Sequence, residues 1–303
     1  MADTKLDKID EREEKVAASR GFPVAKTNDV IQKARTKLSL FEQKMLAYSL
    51  SRITGNEGED SPQLKYTLEI RDICATCGLY SDSGKVYSMI RRAFKKLLTP
   101  TEDWVRLRGK DGVDSYIPFR WLEKVKITPK KGTIDIMWDE EIAPFVFNLK
   151  KCFFSYPLHD ILAMRSAYSI RLYELLTSYA SMRGYKFELD ELRELLYDSA
   201  SIRSYDRLAD FRKRILDPSV EEINLYTQID VSYELVFTQR RCTHIRFAID
   251  KKDPASCLMA KVTVDKALDG YSYDGPIFDP GERVFDFGIL DSENKPAEEI
   301  GPT

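Results

Sequence analysis

Tyr66-Thr67-Leu68-Glu69-Ile70-Arg71-Asp72-Ile73 and Tyr185-Lys186-Phe187-Glu188-Leu189-Asp190-Glu191-Leu192 match position for position at an offset of 119 residues. Each stretch alternates like a half-buried strand and then takes up the spacing of a helix's apolar face. Further along, Phe94-Lys95-Lys96-Leu97-Leu98-Thr99-Pro100 is matched by Phe211-Arg212-Lys213-Arg214-Ile215-Leu216-Asp217-Pro218, with one residue inserted. The first tyrosine and the phenylalanine are 28 residues apart in one copy and 26 in the other. A fixed offset of this kind marks a duplicated unit.

Around these anchors the same order of elements reads twice. In the first copy Ser39 and Glu42 have the spacing of a capping box, opening a helix to about Ile53. Leu64–Ile70 reads as a strand, Arg71–Cys77 as a short helix, and Ser83–Leu98 as a helix closed by Thr99-Pro100. Trp104–Arg108, Tyr116–Ile127 and Thr133–Trp138 read as strands joined by the turn chemistry of Gly109–Gly112 and Thr128–Gly132. The second copy runs from a long helix, Leu158–Met182, through a strand over Tyr185–Leu189, to a helix ending at Tyr197. A helix capped by Ser204 comes next, ended at Asp217-Pro218, which caps another to Tyr226; strands Ile229–Phe237 and Cys242–Ile249 close the copy. Helix, strand, helix, helix, β-hairpin is a helix-turn-helix with a wing. The expected fold is therefore α+β: winged-helix domains over residues 28–150 and 151–250, with a mobile charged arm (1–27) and an acidic, loosely ordered tail (251–303).

Composition narrows the function. Of 303 residues, 43% are hydrophobic and 32% charged, as in a water-soluble globular chain. No segment approaches the ~20 apolar residues of a membrane span, and the start lacks the apolar segment of a secretory signal. Five cysteines, an odd and low number, fit a reducing cytoplasm. The net charge of −2 is unevenly spread: residues 251–303 hold 6 basic and 11 acidic side chains, and residues 23–250 hold 36 and 32. A mildly basic body carries an acidic tail. Clustering, not the total, decides whether a polyanion binds.

On a helical wheel Ser83–Leu98 puts Val86, Ile90, Ala93, Phe94, Leu97 and Leu98 on one arc and Lys85, Ser88, Arg91, Arg92, Lys95 and Lys96 on the other. It contains no acidic residue. Solvated helix faces normally mix signs to support their own pairs, so this face points to nucleic acid. In the second copy Leu208, Phe211 and Ile215 turn inward, while Arg207, Asp210, Lys213 and Arg214 turn outward and Arg203 lies just ahead. There Arg suits the guanine edge and Asp the cytosine amine, although an ion pair of Asp210 with Arg207 or Arg214 is an equal alternative. Arg240, Arg241 and Arg246 would form a basic wing, as would Arg106, Arg108 and Lys110 in the first copy.

Other chemistry fails on inventory. Gly78–Lys85 resembles a phosphate loop but is one residue too long, and Val86 stands where a hydroxyl should bind metal. Cys74 and Cys77 have no second pair nearby and read as buried small hydrophobes. His159 and His244 are the only histidines, without evident partners, and neither metal, cofactor nor catalytic residue is expected.

The run Ser166–Leu176, Tyr205 with Asp210–Leu216, Glu221–Asn224 and Arg241–Phe247 together resemble the iteron-binding plasmid replication initiators, the superfamily of the F-plasmid and lactococcal theta-type initiators. That resemblance spans residues 28–250 and is more specific in the second copy. It implies two winged-helix domains, double-stranded DNA at origin repeats and operator, and no catalysis by the protein itself. It also implies host initiator and replicative helicase as partners, chaperones, and a monomer–dimer exchange with autoregulation. By it Arg207, Lys213 and Arg214 become groove or phosphate contacts. A tandem winged-helix repressor without an initiation role is the near alternative, and a scaffold that binds no DNA a more distant one. A rolling-circle nicking enzyme would need a histidine pair the chain lacks. The aromatic segment Trp138–Phe154 is expected to pack the two modules together, or else to serve a dimer contact.

Overall fold

The computed structural model describes residues 3–33, 38–53, 63–79, 84–100, 105–108, 114–117, 120–147, 149, 153–196 and 207–269. Two three-stranded antiparallel sheets organise it. In the first, β2 (Lys65–Glu69) and β5 (Leu122–Thr128) flank β6 (Thr133–Trp138). In the second, β8 (Gly184–Glu188) and β9 (Ile229–Thr238) flank β10 (Arg241–Lys251). The order first, third, second strand is the same in both, and in both the opening strand runs straight into a helix. β2 leads directly into α4 (Ile70–Cys77), and β8 into α9 (Leu189–Leu196), each 8 residues long. The duplicated octapeptides thus superimpose in role: Leu68 and Phe187 point into the cores at 3% and 1% exposure, and Ile73 and Leu192 are fully buried.

In the first module α3 (Leu40–Leu50) carries the expected capping box, with Ser39 and Glu42 each bonded to the other's backbone N–H. It packs on α5 (Gly84–Leu97), whose Ile90, Phe94 and Leu97 are sealed in the core. In the second, the helix-turn-helix pairs α9 with one continuous helical rod, α10 (Leu208–Phe211), a π-helical turn (Arg212–Leu216) and α11 (Asp217–Tyr226). Asp217-Pro218 was expected to end a helix here, and it does not. Pro218 offers no N–H and crowds the preceding turn. The turn just ahead of it widens so that the Asp217 N–H reaches the Arg212 carbonyl, five residues back, and the rod continues.

Further expectations are corrected. The charged start is a helix, α1 (Asp3–Arg20), rather than a mobile arm. Ser19 Oγ lies 2.7 Å from Thr76 Oγ1, and Arg20 bonds Thr76 O and, at 2.7 Å, the Asp265 carboxylate, so distant partners hold a segment with no apolar stripe of its own. The acidic tail begins with another helix, α12 (Pro254–Asp269), which buries Ala260, Val264 and Leu268. Leu268 lies over Gly78, the left-handed cap of α4 (φ +67°), where an added Cβ would come within 3.2 Å of it. Residues 270–303 lie outside the described residues.

The expected long helix from Leu158 is broken into α7 (His159–Leu162) and α8 (Ala167–Ser178), because Ser166 adopts an extended backbone and caps the second. Helix α8 is the hub, with eleven of its residues buried, and it packs against α3, α9 and α11. β1 (Pro23–Thr27) pairs with β7 (Phe153–Pro157), and α2 (Asn28–Lys33) comes directly after β1. Beneath them Glu174 accepts from Lys26 Nζ and Tyr156 Oη, both at 2.5 Å, a buried charge satisfied on two sides. Of the apolar side chains singled out in this segment, Trp138, Val146, Phe147 and Phe154 are buried, Phe145 is partly so, and Phe153 is exposed. It is mostly core, with α6 (Ala143–Val146) folding Phe147 edge-on against Trp138.

Candidate nucleic-acid interface

The amphipathic reading of α5 matches its burial. Val86, Ile90, Ala93, Phe94 and Leu97 face inward, while Lys85, Ser88, Arg91, Arg92 and Lys95 are exposed and Lys96 half-exposed. The one-sided apolar arc pins the helix, so its rotation presents the cations outward as a unit. Ser83 lies outside the described residues.

In the second module Arg207 is the extended-backbone N-cap of α10, and it is exposed. Phe211, Ile215 and Leu216 anchor the rod in the core; Lys213 and Arg214 project from the π turn into solvent, and Asp210 is half-buried. Arg212, at the edge of that face, is occupied. Its Nε donates to Tyr233 Oη on β9 at 3.2 Å, and the same hydroxyl donates to Asp217 Oδ1. This latch ties the π turn to the wing strand, fixing the direction in which Lys213 and Arg214 leave the helix. Arg203, Ser204 and Tyr205 lie outside the described residues.

The wing of the second module is the β9–β10 hairpin. Its two-residue tip holds Gln239 (φ +48°) and Arg240 (φ +72°) in the left-handed region, a turn that ordinarily selects glycine. Arg240 and Arg241 are exposed; Arg241 reaches Asp190 only at 4.0 Å. Arg246 pairs with Glu234 across the hairpin at 2.6 Å, so a phosphate would have to compete for it.

In the first module the structure moves the wing. The hairpin equivalent to β9–β10 is β5–β6, whose tip is Pro129–Gly132 with Lys130 and Lys131 exposed. Arg106 and Arg108 lie instead on β3 (Val105–Arg108), opposite Tyr116 and Asp114 of β4 (Asp114–Ile117), a separate two-stranded sheet; Lys110 is outside the described residues. Sequence reasoning did not single out Lys124, Lys126, Lys130 and Lys131, which the β5–β6 hairpin exposes. Their signal was available: alternating lysines in Leu122–Thr128 and a Pro-Lys-Lys-Gly turn.

Cys74, Cys77 and His159 sit in the core, and His244 is half-buried on β10. Cys74 and Cys77 are buried, and burial pushes the Cys77 thiol up to about 12, so it stays protonated and inert. His159 has a partner that the sequence did not reveal: its Nε2 lies 2.8 Å from the Asp160 carboxylate, which also accepts from Tyr173 Oη at 2.5 Å. The cluster is closed to solvent, with His159 7% exposed and Asp160 fully buried. Among the described residues no group of three metal-ligating side chains converges, and no helix is long and apolar enough to cross a membrane.

Two helix-turn-helix units with basic wings and outward-facing cationic helices define a tandem winged-helix protein. Residues 23–177 match the family described as Initiator Replication protein, WH1, and residues 188–249 match Initiator Rep protein, WH2. The chain belongs to this replication-initiator family. It is 25% identical over 189 residues to a replication initiation protein of Escherichia coli, covering 60% of this chain and 52% of that protein. A 27.6 kDa uncharacterized protein of Escherichia coli is 25% identical over 147 residues, covering 48% of this chain and 59% of that one. The chain thus spans about half the length of these relatives. A crystal structure of Pi initiator protein in complex with iteron DNA has the same fold, with a TM-score of 0.58 at 18% identity over 77% of this chain and 99% of that one.

Proposed function

We propose that this chain is a sequence-specific double-stranded DNA-binding protein that initiates plasmid replication at origin direct repeats. The observation that carries the reading is the duplicated unit: two modules of identical strand order, each presenting a core-anchored cationic helix and a basic hairpin tip. Such a pair suits successive major-groove segments of one duplex, about one helical turn apart. Family membership favours initiation over a repressor-only role, and the Pi initiator protein, solved with iteron DNA, supports the ligand class. The protein acts by binding, not by catalysis, in the cytoplasm. It recruits host initiator and replicative helicase, with chaperones adjusting a monomer–dimer exchange that also serves autoregulation. The pairing of β1 with β7 supports modules at 23–177 and 188–249 in place of a boundary at residue 150.

In this scheme Lys85, Arg91, Arg92, Lys95 and Lys96 hold phosphates, and Arg207, Asp210, Lys213 and Arg214 read bases. The test is enrichment of bound duplexes from a random pool, then footprinting of the DNA beside the gene. One enriched motif of roughly 20 base pairs, recurring there as direct repeats, is expected from two modules a turn apart. Enrichment of no motif would refute the reading.

A further inference from the structure

Phe237 is 55% exposed at the end of β9, an apolar side chain at the rim of a basic wing. It does not belong to the polar outer face of the sheet. Along a strand, alternate residues share a face, and Val231, Tyr233, Leu235 and Phe237 form one row. Val231 is buried, Tyr233 and Leu235 are half-buried, and Phe237 continues the row past the end of the core.

The recognition rod packs along β9. Asn224, near its C-terminal end, bonds both backbone groups of Val231, at 2.9 and 2.6 Å. Arg212, a dozen residues earlier, bonds Tyr233. Strand and rod therefore run in opposite directions, and each step toward the wing tip moves toward the rod's N-terminal end, where Arg207, Lys213 and Arg214 are exposed. Phe237 therefore continues β9 in the direction of the rod end that carries those cations. Next to Phe237 the strained Gln239–Arg240 turn and a register shift between Cys242 and His244 set the tip's shape, and Arg240 and Arg241 flank it with positive charge. An aromatic ring on a cation-flanked projection fits the chemistry of a nucleic-acid groove.

We propose that Phe237 is a wedge that enters the minor groove beside the recognition rod and unstacks one base step, kinking the duplex. The inference rests on the DNA-binding reading above and adds to it a second way of recognising sequence. A wedged step costs least where stacking is weak, so pyrimidine–purine steps are selected without hydrogen bonds to their bases. Arg240 and Arg241 hold the phosphates on either side and keep the ring in place.

The test uses the full chain and the enriched duplex, with 2-aminopurine replacing successive adenines. Wild-type protein should bend the duplex by roughly 20–90° and brighten 2-aminopurine at one step opposite the second-module wing. Phe237→Ala should still bind and fold but lose the bend and the fluorescence, with roughly 5- to 150-fold weaker affinity, the worth of one base–aromatic contact. Phe237→Leu, still able to wedge, should keep most of the bend. Phe237→Ala with bend and fluorescence unchanged would overturn the wedge, and so would an unbent wild-type complex. Loss of self-association in Phe237→Ala, with bending intact, would assign the ring to a protein contact instead. Failure of wild-type protein to bind any duplex would remove the DNA-binding reading and the wedge with it.

Discussion

Replacing Arg240 with glycine should make the protein more stable and a poorer DNA binder. Arg240 sits at φ +72° beside Gln239 at φ +48°, with no glycine in the turn, whereas the first module's wing tip uses Gly132 at φ +65°. A left-handed conformation costs a residue with a Cβ about 1–2 kcal/mol. Glycine removes that cost but gives up roughly 0.4–1 kcal/mol through the looser unfolded chain. The net gain for Arg240→Gly is on the order of 0.5–1 kcal/mol, readable as a higher denaturant midpoint at unchanged slope. In the proposed complex the lost guanidinium holds one phosphate, so the slope of log affinity against log salt should shrink by about 0.9. Fluorescence anisotropy with a labelled duplex at four or five salt concentrations measures it. A destabilised variant, or one whose affinity and salt slope equal the wild type's, would refute the argument that the strain is kept for DNA contact.

Lys95→Ala and Lys96→Ala should weaken binding alike on selected and scrambled duplexes, while Arg207→Ala or Arg214→Ala should cost ~1–3 kcal/mol on the selected duplex and blur its preference. Competition binding separates the two effects. The double change Lys130→Ala, Lys131→Ala should lower the salt slope by about 2, since the first module's wing tip lies there, and an unchanged slope would return the role to Arg106 and Arg108. Burial holds the Lys44 ammonium down to about 8, against 10.5 in an unfolded chain, even though its Nζ donates to Leu162 O at 2.8 Å. Between those values the unfolded state binds the extra proton, so this group makes stability rise with pH. From pH 8 to 9, Lys44→Met should remove a rise of up to about 1 kcal/mol, seen by comparing denaturant unfolding of the two proteins.

The features legible in the sequence were local or repeated. The octapeptide repeat located both opening strands and the helices after them, because alternation and helical spacing reflect which side chains must be buried. Ser39 and Glu42 signalled a cap three residues long, and the face of α5 emerged from its wheel. The failures depended on distant partners. Nothing near Ser19 and Arg20 reveals that Thr76 and Asp265 will hold α1, or that Lys26 on β1 will meet Glu174 on α8. Pro218 read as a helix end because the rule for proline assumes a regular helix, and a single π turn evades it. The first wing was misplaced because four strands compete for one hairpin, and only β-pairing shows that β6 lies between β2 and β5. Of the candidate site, the exposed cations of α5, the π turn and the second wing tip were legible by type and spacing, whereas those of the β5–β6 hairpin were not singled out. The Arg212–Tyr233–Asp217 latch, Phe237 and the strained tip were not legible, since each is a property of the folded wing.

If both modules hold one DNA duplex through a basic face, salt must weaken the complex steeply. Affinity for a single enriched repeat, measured by anisotropy between 50 and 200 mM salt, tests this most directly. With six to ten phosphates engaged by two recognition helices and two wings, affinity should fall by roughly 10³- to 10⁵-fold over that range. A nearly flat salt response would contradict the account, and a fall reflecting only half as many contacts would mean that one module leaves the DNA untouched.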